Sequence, residues 1–282
     1  MLSYKSIWKC IGPIILSALS LFLSFIILQS FASFLIPELS LLARGGLGKV
    51  LLTAMVFWQL ILFLSVQSAT FLHDFFATNF LFFKNRTWLK PFGKTFALFF
   101  LLHTLLFWFL WQHGLVVTNT AWGIFNTSLI VKTVAAFAAV FTLAWSEEVI
   151  FRGTLYPYFV QTFPPLTSAF ISSAIFMFAH NLSAPWMLVT TDWKLGLGLF
   201  LLGFMLNLLF IISGKLYIGM GAHAGLVAVK VLLRRAPFLN FLAPEALPFW
   251  AHNDLRQSPL VHLLFLLVII ILIYMIPKNK RR

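Results

Sequence analysis

The sequence predicts an all-α, polytopic membrane protein of about eight transmembrane helices enclosing an intramembrane cavity, and two observations lead there. Of the 282 residues, 61% are hydrophobic and only 10% are charged, far from the balance of a water-soluble domain. Uncharged runs of about 18 residues or more, enough to cross a hydrocarbon layer, recur along the chain. The formal charge of +13 falls at the ends of these runs, where membrane-edge anchors lie. It forms no basic domain with interleaved aromatics, so the composition points to the lipid bilayer as partner and not to nucleic acid. The single Cys10 excludes an internal disulfide.

The elements follow in order. Between Lys9 and Glu38 lie 28 uncharged residues, longer than a signal-peptide core, so this stretch reads as a retained first span from about Ile11 to Ile36. Span two covers Val50 to Leu72. Phe75 to Phe83 is aromatic and too short to cross; it leads into Lys84, Arg86, Lys90 and Lys94 and reads as an interfacial segment. Span three runs from Thr95 to about Val116, followed by a polar turn from Thr118 to Ser128.

Only 14 uncharged residues separate Lys132 from Glu147, too few for a crossing. Span four must therefore carry charge within membrane depth. Counted from a cap at Ser128, Glu147 lies about 28 Å along, just inside one face, and Pro157 limits the helix beyond it. Span five extends from about Ser168 to Leu182, span six from Leu195 to Ile212 with a stop at Gly214, and span seven from Leu216 to Leu233. A loop with Pro237, Pro244, Pro248 and Pro259 precedes span eight, Leu260 to Ile276.

Eight spans place both termini on one side. With the termini inside, eleven basic residues are cytoplasmic and eight are outside, Arg152 being set apart, a bias that favours cytoplasmic termini in a cell-membrane protein. The chain divides into residues 1–130, helices one to three with the interfacial segment; 131–235, a core that holds the chemistry; and 236–282, a loop and the last helix.

Within the core, Trp145 to Arg152 draws attention because two of the chain's seven acidic residues stand there side by side. Such groups cost roughly 2.5 to 3.5 kcal/mol each at mid-membrane and persist where they are paired or used. On a helix, Glu148 and Arg152 are four apart and can pair, while Glu147, rotated by about 100°, stays available. The plain alternative is an ion pair that locks two helices together. Four histidines lie in apolar spans: His103, His180, His223 and His262. His180 shares a helix face with Phe176, and His223 lies among Gly219, Gly221 and Gly225, where small residues allow close helix approach.

The order Glu147-Glu148-x-x-x-Arg152, Phe176-x-x-x-His180, His223-Ala224-Gly225 resembles the three motifs of the CPBP family, the CAAX prenyl proteases and bacteriocin-processing proteins, also called Abi proteins. The resemblance covers Trp145 to about Lys230. It implies an intramembrane endopeptidase acting on a membrane-associated or lipidated peptide or protein, with no cofactor. By that resemblance Glu147 activates water, Glu148 and Arg152 support it, His180 shares in positioning the water, and His223 stabilises the oxyanion, with Phe176, Asn181 and Val227 on the substrate side. Val227 departs from the family, many members of which carry Asn or a similar polar residue there. Asn181 and Asn207 are candidate substitutes, though backbone bonding is the simpler role for each.

Zinc is a weaker option: Glu147, His180 and His223 could supply three ligands, but there is no HExxH and the resemblance favours a metal-independent glutamate. Two other functions compete, a catalytically weak immunity or scaffold protein, for which Val227 speaks, and a proton-coupled transporter, for which no inverted repeat speaks.

Overall fold

The computed structural model describes residues 86–119, 127–181, 184–235 and 239–277. Every described residue belongs to one compact unit, Phe83–Arg282. Expected spans one and two and the Phe75 to Phe83 segment lie outside the described residues.

A turn of 3₁₀-helix at Arg86–Trp88 opens into α1, Leu89–Gln112. Helix α1 begins six residues before the expected Thr95 and takes in Lys90 and Lys94, because a lysine can extend its charge away from an apolar helix without ending it. It stops at Gln112, short of Val116, since Gly114 adopts a left-handed φ of 67° that breaks the helical path. Strand β1, Val116–Thr118, follows and pairs antiparallel with β2, Leu239–Phe241. This short two-stranded ladder joins two connecting segments and leaves the all-α class as expected. Its β-branched run suits a strand, but its partner lies in a distant proline-rich loop, so no local pattern announces the pairing.

Helix α2 spans Thr127–Ile150, and contrary to expectation Pro157 does not limit it. The helical rod widens into a π-turn at Phe151–Leu155 and continues as α3, Tyr156–Val160. The Tyr156 N–H reaches back five residues to the Phe151 carbonyl, and this wider turn makes room for a proline in the next turn. Glu147 thus stands about 20 Å before the end of the rod.

Helices α4 (Pro165–Ala179), α5 (Trp193–Ser213), α6 (Leu216–Arg235) and α7 (Pro259–Met275) complete the bundle. Pro165 starts α4 at a position where its missing N–H is not needed, and Gly214, with φ of 62°, closes α5. Among the described residues three helical stretches are long and apolar enough to cross a membrane, Arg86–Gln112, Trp193–Ser213 and Leu216–Leu233, while Pro165–Ala179 and Pro259–Met275 are shorter apolar helices. The protein is therefore an all-α membrane protein with several candidate spans.

Packing around α6 sets the site. On one flank, a Cβ at Gly221 would strike the Phe92 carbonyl and Thr95, and one at Gly225 the Phe96 carbonyl, so these glycines let α1 lie against the α6 backbone. On the next flank, Val140 and Ala144 of α2 pack against Ala224 and Ala228. With Glu148 against Gly219 and His223, and Val140 and Ala144 in one cluster with the later Ala224 and Ala228, α2 and α6 run antiparallel, which brings the glutamates beside His223.

Above the bundle, Asp254 anchors the loop before α7. Its Oδ1 accepts bonds from Lys230 Nζ at 3.2 Å and Arg256 Nε at 3.0 Å, and its Oδ2 one from Arg256 NH2 at 2.6 Å. Partial burial would raise its pKa, but the hydrogen bonds and charge of Arg256, with Lys230 adding, hold the carboxyl well below its usual 3.8. The anchoring is accordingly complete above that usual value and lost only in stronger acid. Asp254→Asn is expected to speed amide exchange in residues 250–258 on the order of tenfold at neutral pH, about one charge-assisted hydrogen bond's worth. Hydrogen-exchange mass spectrometry checks this.

Candidate active site

Four helical elements bring five polar side chains into contact. Glu147 and Glu148 come from the end of α2, Arg152 from the π-turn, His180 from the end of α4 and His223 from α6. Glu148 and Arg152 are fully buried and paired at 3.1 Å, with the Glu148 Oε1 also 3.1 Å from His223 Nδ1. A second guanidinium nitrogen, NH2, donates to the Gly203 carbonyl at 2.8 Å, and the guanidinium lies 5.0 Å from the Phe176 ring centroid. The pair is not fully satisfied, since Glu148 Oε2 and Arg152 Nε have no hydrogen-bond partner among the described residues.

Glu147 faces the other way. Its Oε2 is 3.6 Å from His223 Nε2 and 4.0 Å from His180 Nε2, and it has no hydrogen-bond partner among the described residues. His180 Nδ1 lies 2.7 Å from the Phe176 carbonyl, which can only accept, so Nδ1 carries the proton and a neutral ring turns an unprotonated Nε2 to the carboxylate. Similarly, the Arg152-bound Glu148 fixes the proton of His223 on Nδ1. The Glu147 and His180 side chains are 15% and 25% exposed, against 4% for His223 and 0% for Glu148 and Arg152. The more exposed part of the site is therefore the Glu147 and His180 side, with the ion pair behind, and the Glu147 Oε2 itself is buried. At these separations one water can sit about 2.8 Å from both the Oε2 and an Nε2.

The supporting shell was only partly foreseen. Phe176, expected on the substrate side, is fully buried. It packs 4.5 Å from the His180 ring and 6.2 Å from His223, and thus aligns both imidazoles from within the bundle. Val227 packs against the apolar cluster of Val140, Ala144, Ala224 and Ala228. Asn207 donates to the Ala169 carbonyl and Ser173 Oγ, tying α5 to α4, so its amide donors are turned to structure. Asn181 stands on the turn after His180. His103 bonds the Leu226 carbonyl and His262 the Arg256 carbonyl, each as a packed histidine. A cleft of about 240 Å³ lies near the β-ladder, lined by Phe107, Lys230 and Phe241 among others, and not at the carboxylates.

Two glycines shape the site, Gly203, which no sequence motif singles out, and Gly219, expected only to allow close helix approach. A Cβ at Gly203 would lie 3.0 Å from the Phe176 ring, and one at Gly219 would lie 2.5 Å from Glu148 Oε2. The available signal was their cost, since glycine inside a helix is about 1 kcal/mol worse than alanine. Gly219→Ala should gain that propensity yet lower the unfolding midpoint, because Glu148 is fully buried and has nowhere to retreat. Thermal unfolding of the detergent-solubilised protein tests this.

Compared with known proteins, residues 129–229 match the family model described as type II CAAX prenyl endopeptidase Rce1-like. The matched stretch takes in α2 through most of α6 and includes all five polar site residues. No curated protein and no solved structure matches the chain.

Proposed function

Since residues 129–229 match the type II CAAX prenyl endopeptidase Rce1-like family model, we propose that the protein is an intramembrane endopeptidase that hydrolyses a peptide bond of a membrane-associated or lipidated substrate. The observation that carries this reading is the Glu147 Oε2, without a hydrogen-bond partner among the described residues and faced by two imidazole Nε2 atoms at 3.6 and 4.0 Å. Glu147 and His180 hold one water through its two hydrogens, and the water oxygen attacks the scissile carbonyl carbon as Glu147 takes a proton. The oxyanion develops beside His223, whose ring the Glu148 carboxylate holds at Nδ1. Glu147 returns its proton to the leaving nitrogen as the C–N bond breaks. The products are an amine and a carboxylate, the second water proton leaving through His180. Cytoplasmic termini in the cell membrane belong to the same proposal.

The test uses the full chain in liposomes with a farnesylated, internally quenched peptide. Cleavage that persists in 1,10-phenanthroline is the expected result, and no cleavage of this or an unprenylated membrane peptide would refute the reading. A second reading, a catalytically weak scaffold, draws on Val227, which is apolar and engaged in helix packing. Under that reading a Glu147 variant would keep its cellular phenotype.

A further inference from the structure

The end of the bundle where α5 begins carries exposed aromatic side chains that the site chemistry does not use. Helix α5 is long and apolar enough to cross a membrane and starts with Trp193 and Lys194, so this end meets a membrane surface. The segment between α4 and α5 is held against the start of α5. Pro185–Val189 forms a 3₁₀ turn, and the Asp192 N–H reaches back to the Met187 carbonyl at 2.7 Å. Leu188 is buried, with its carbonyl against Gly196, where any Cβ would collide with it. Held this way, Trp186 and Val189 turn outward, 62% and 56% exposed, as does Trp193 at 52%. Lys194 Nζ lies 5.9 Å from the Trp193 ring centroid. The loop before α7 adds Phe249, 86% exposed, and is fixed to the same end because the Arg256 carbonyl packs on Gly198 of α5.

We infer that Trp186, Val189, Trp193 and Phe249 form a rim that docks in the phospholipid headgroup layer and sets the depth of the Glu147 and His180 site. The boundary between headgroups and acyl chains takes an indole with its ring toward hydrocarbon and its N–H toward water, and a lysine whose stem lies in the apolar layer and whose charge reaches the phosphates. The depth follows from the antiparallel packing of α4 and α5: Asn207 meets Ala169 and Ser173, Gly203 faces Phe176, and Gly196 faces Leu188. Gly203 is ten residues beyond Trp193, about 15 Å along α5, and His180 is one turn nearer the rim than Phe176, which leaves it about 9 Å inside the Trp193 level. The His180 Nε2 is 4.0 Å from the Glu147 Oε2, so the carboxylate shares that depth. The docking does not depend on the protease reading, because depth is measured without cleavage.

Nitroxide depth measurements on the full chain test it. Single variants Trp186→Cys, Val189→Cys, Phe249→Cys and Ile270→Cys, each with Cys10→Ser, are spin-labelled in phosphatidylcholine nanodiscs, and power saturation with oxygen and a water-soluble nickel chelate gives each depth. All four labelled side chains are exposed, so labelling leaves the packing intact. The three rim labels are expected within about 5 to 10 Å of the headgroup boundary. The label at Ile270, eleven residues into α7, is expected at least about 10 Å deeper than that at Phe249. Adding Trp186→Ser and Trp193→Ser together should shift the Ile270 label by about 3 Å, two residues of helix rise, because the anchor that fixes depth is gone. Rim labels as open to the chelate as in bulk water, as deep as Ile270, or shielded from both reagents by a second copy or another protein each overturn the lipid docking. An Ile270 label that keeps its depth in the doubly substituted protein overturns the depth-setting role.

Discussion

Glu147→Gln is expected to reduce hydrolysis of a membrane-embedded reporter peptide by at least about 10²- to 10⁴-fold, the usual contribution of a positioned general base. The amide keeps the shape of the carboxylate but cannot take the proton of an attacking water. The same variant should leave the unfolding midpoint nearly unchanged, because the Glu147 Oε2 holds no hydrogen bond among the described residues for the protein to lose. The pairing of a large kinetic loss with little loss of stability distinguishes a working carboxylate from a structural one. If the midpoint falls as far as the activity, Glu147 is part of the scaffold and the proposed chemistry fails. Initial rates in liposomes and thermal unfolding of the same preparations supply both numbers.

Arg152→Ala is expected to show the opposite balance, with a stability loss of about 3 to 5 kcal/mol, as when one partner of a buried ion pair is removed. Arg152 is fully buried, pairs with Glu148, donates to the Gly203 carbonyl and lies over Phe176. Without it a carboxylate remains in apolar surroundings beside His223. The double variant Glu148→Gln, Arg152→Met removes both charges together, and it should recover a good part of the stability while activity stays low. Equilibrium unfolding of this double and of its own singles, Glu148→Gln and Arg152→Met, in mixed micelles gives the coupling energy directly. A coupling near zero would mean that the pair does not act as a unit and that His223 takes its orientation from elsewhere.

These expectations show which parts of the site could be read without coordinates. Glu148 and Arg152 lie one helical turn apart, so their pairing followed from local geometry alone. Phe176 and His180 likewise had to share a face, although it took the bundle to show that Phe176 is buried and faces Gly203 and Arg152. Nothing local pointed to Gly219 as the space for Glu148, because that contact joins residues on different helices. The passage of the rod through Pro157 also departs from the expected stop. A proline lacks its N–H in any α-helix, but whether the chain ends or widens depends on who satisfies the freed carbonyls. Here the rod widens: the π-turn at Phe151–Leu155 comes just before Pro157, with the Tyr156 N–H on the Phe151 carbonyl five residues back.

By itself the sequence determined the membrane class, the approximate bounds of helices α4 to α7 and the side chains able to do chemistry. Each of these depends on hydrophobic run length, glycine or proline punctuation, or the expense of charge in an apolar segment, which act within a few turns of chain. Tertiary structure alone decided the β-ladder, the burial of Phe176 and Val227, and the meeting of Glu147 with His180 and His223. Those outcomes depend on the register of packed helices, where glycines at 219, 221 and 225 set how closely α6 approaches α1 and α2. Such register is a property of two surfaces together and is written in neither one alone.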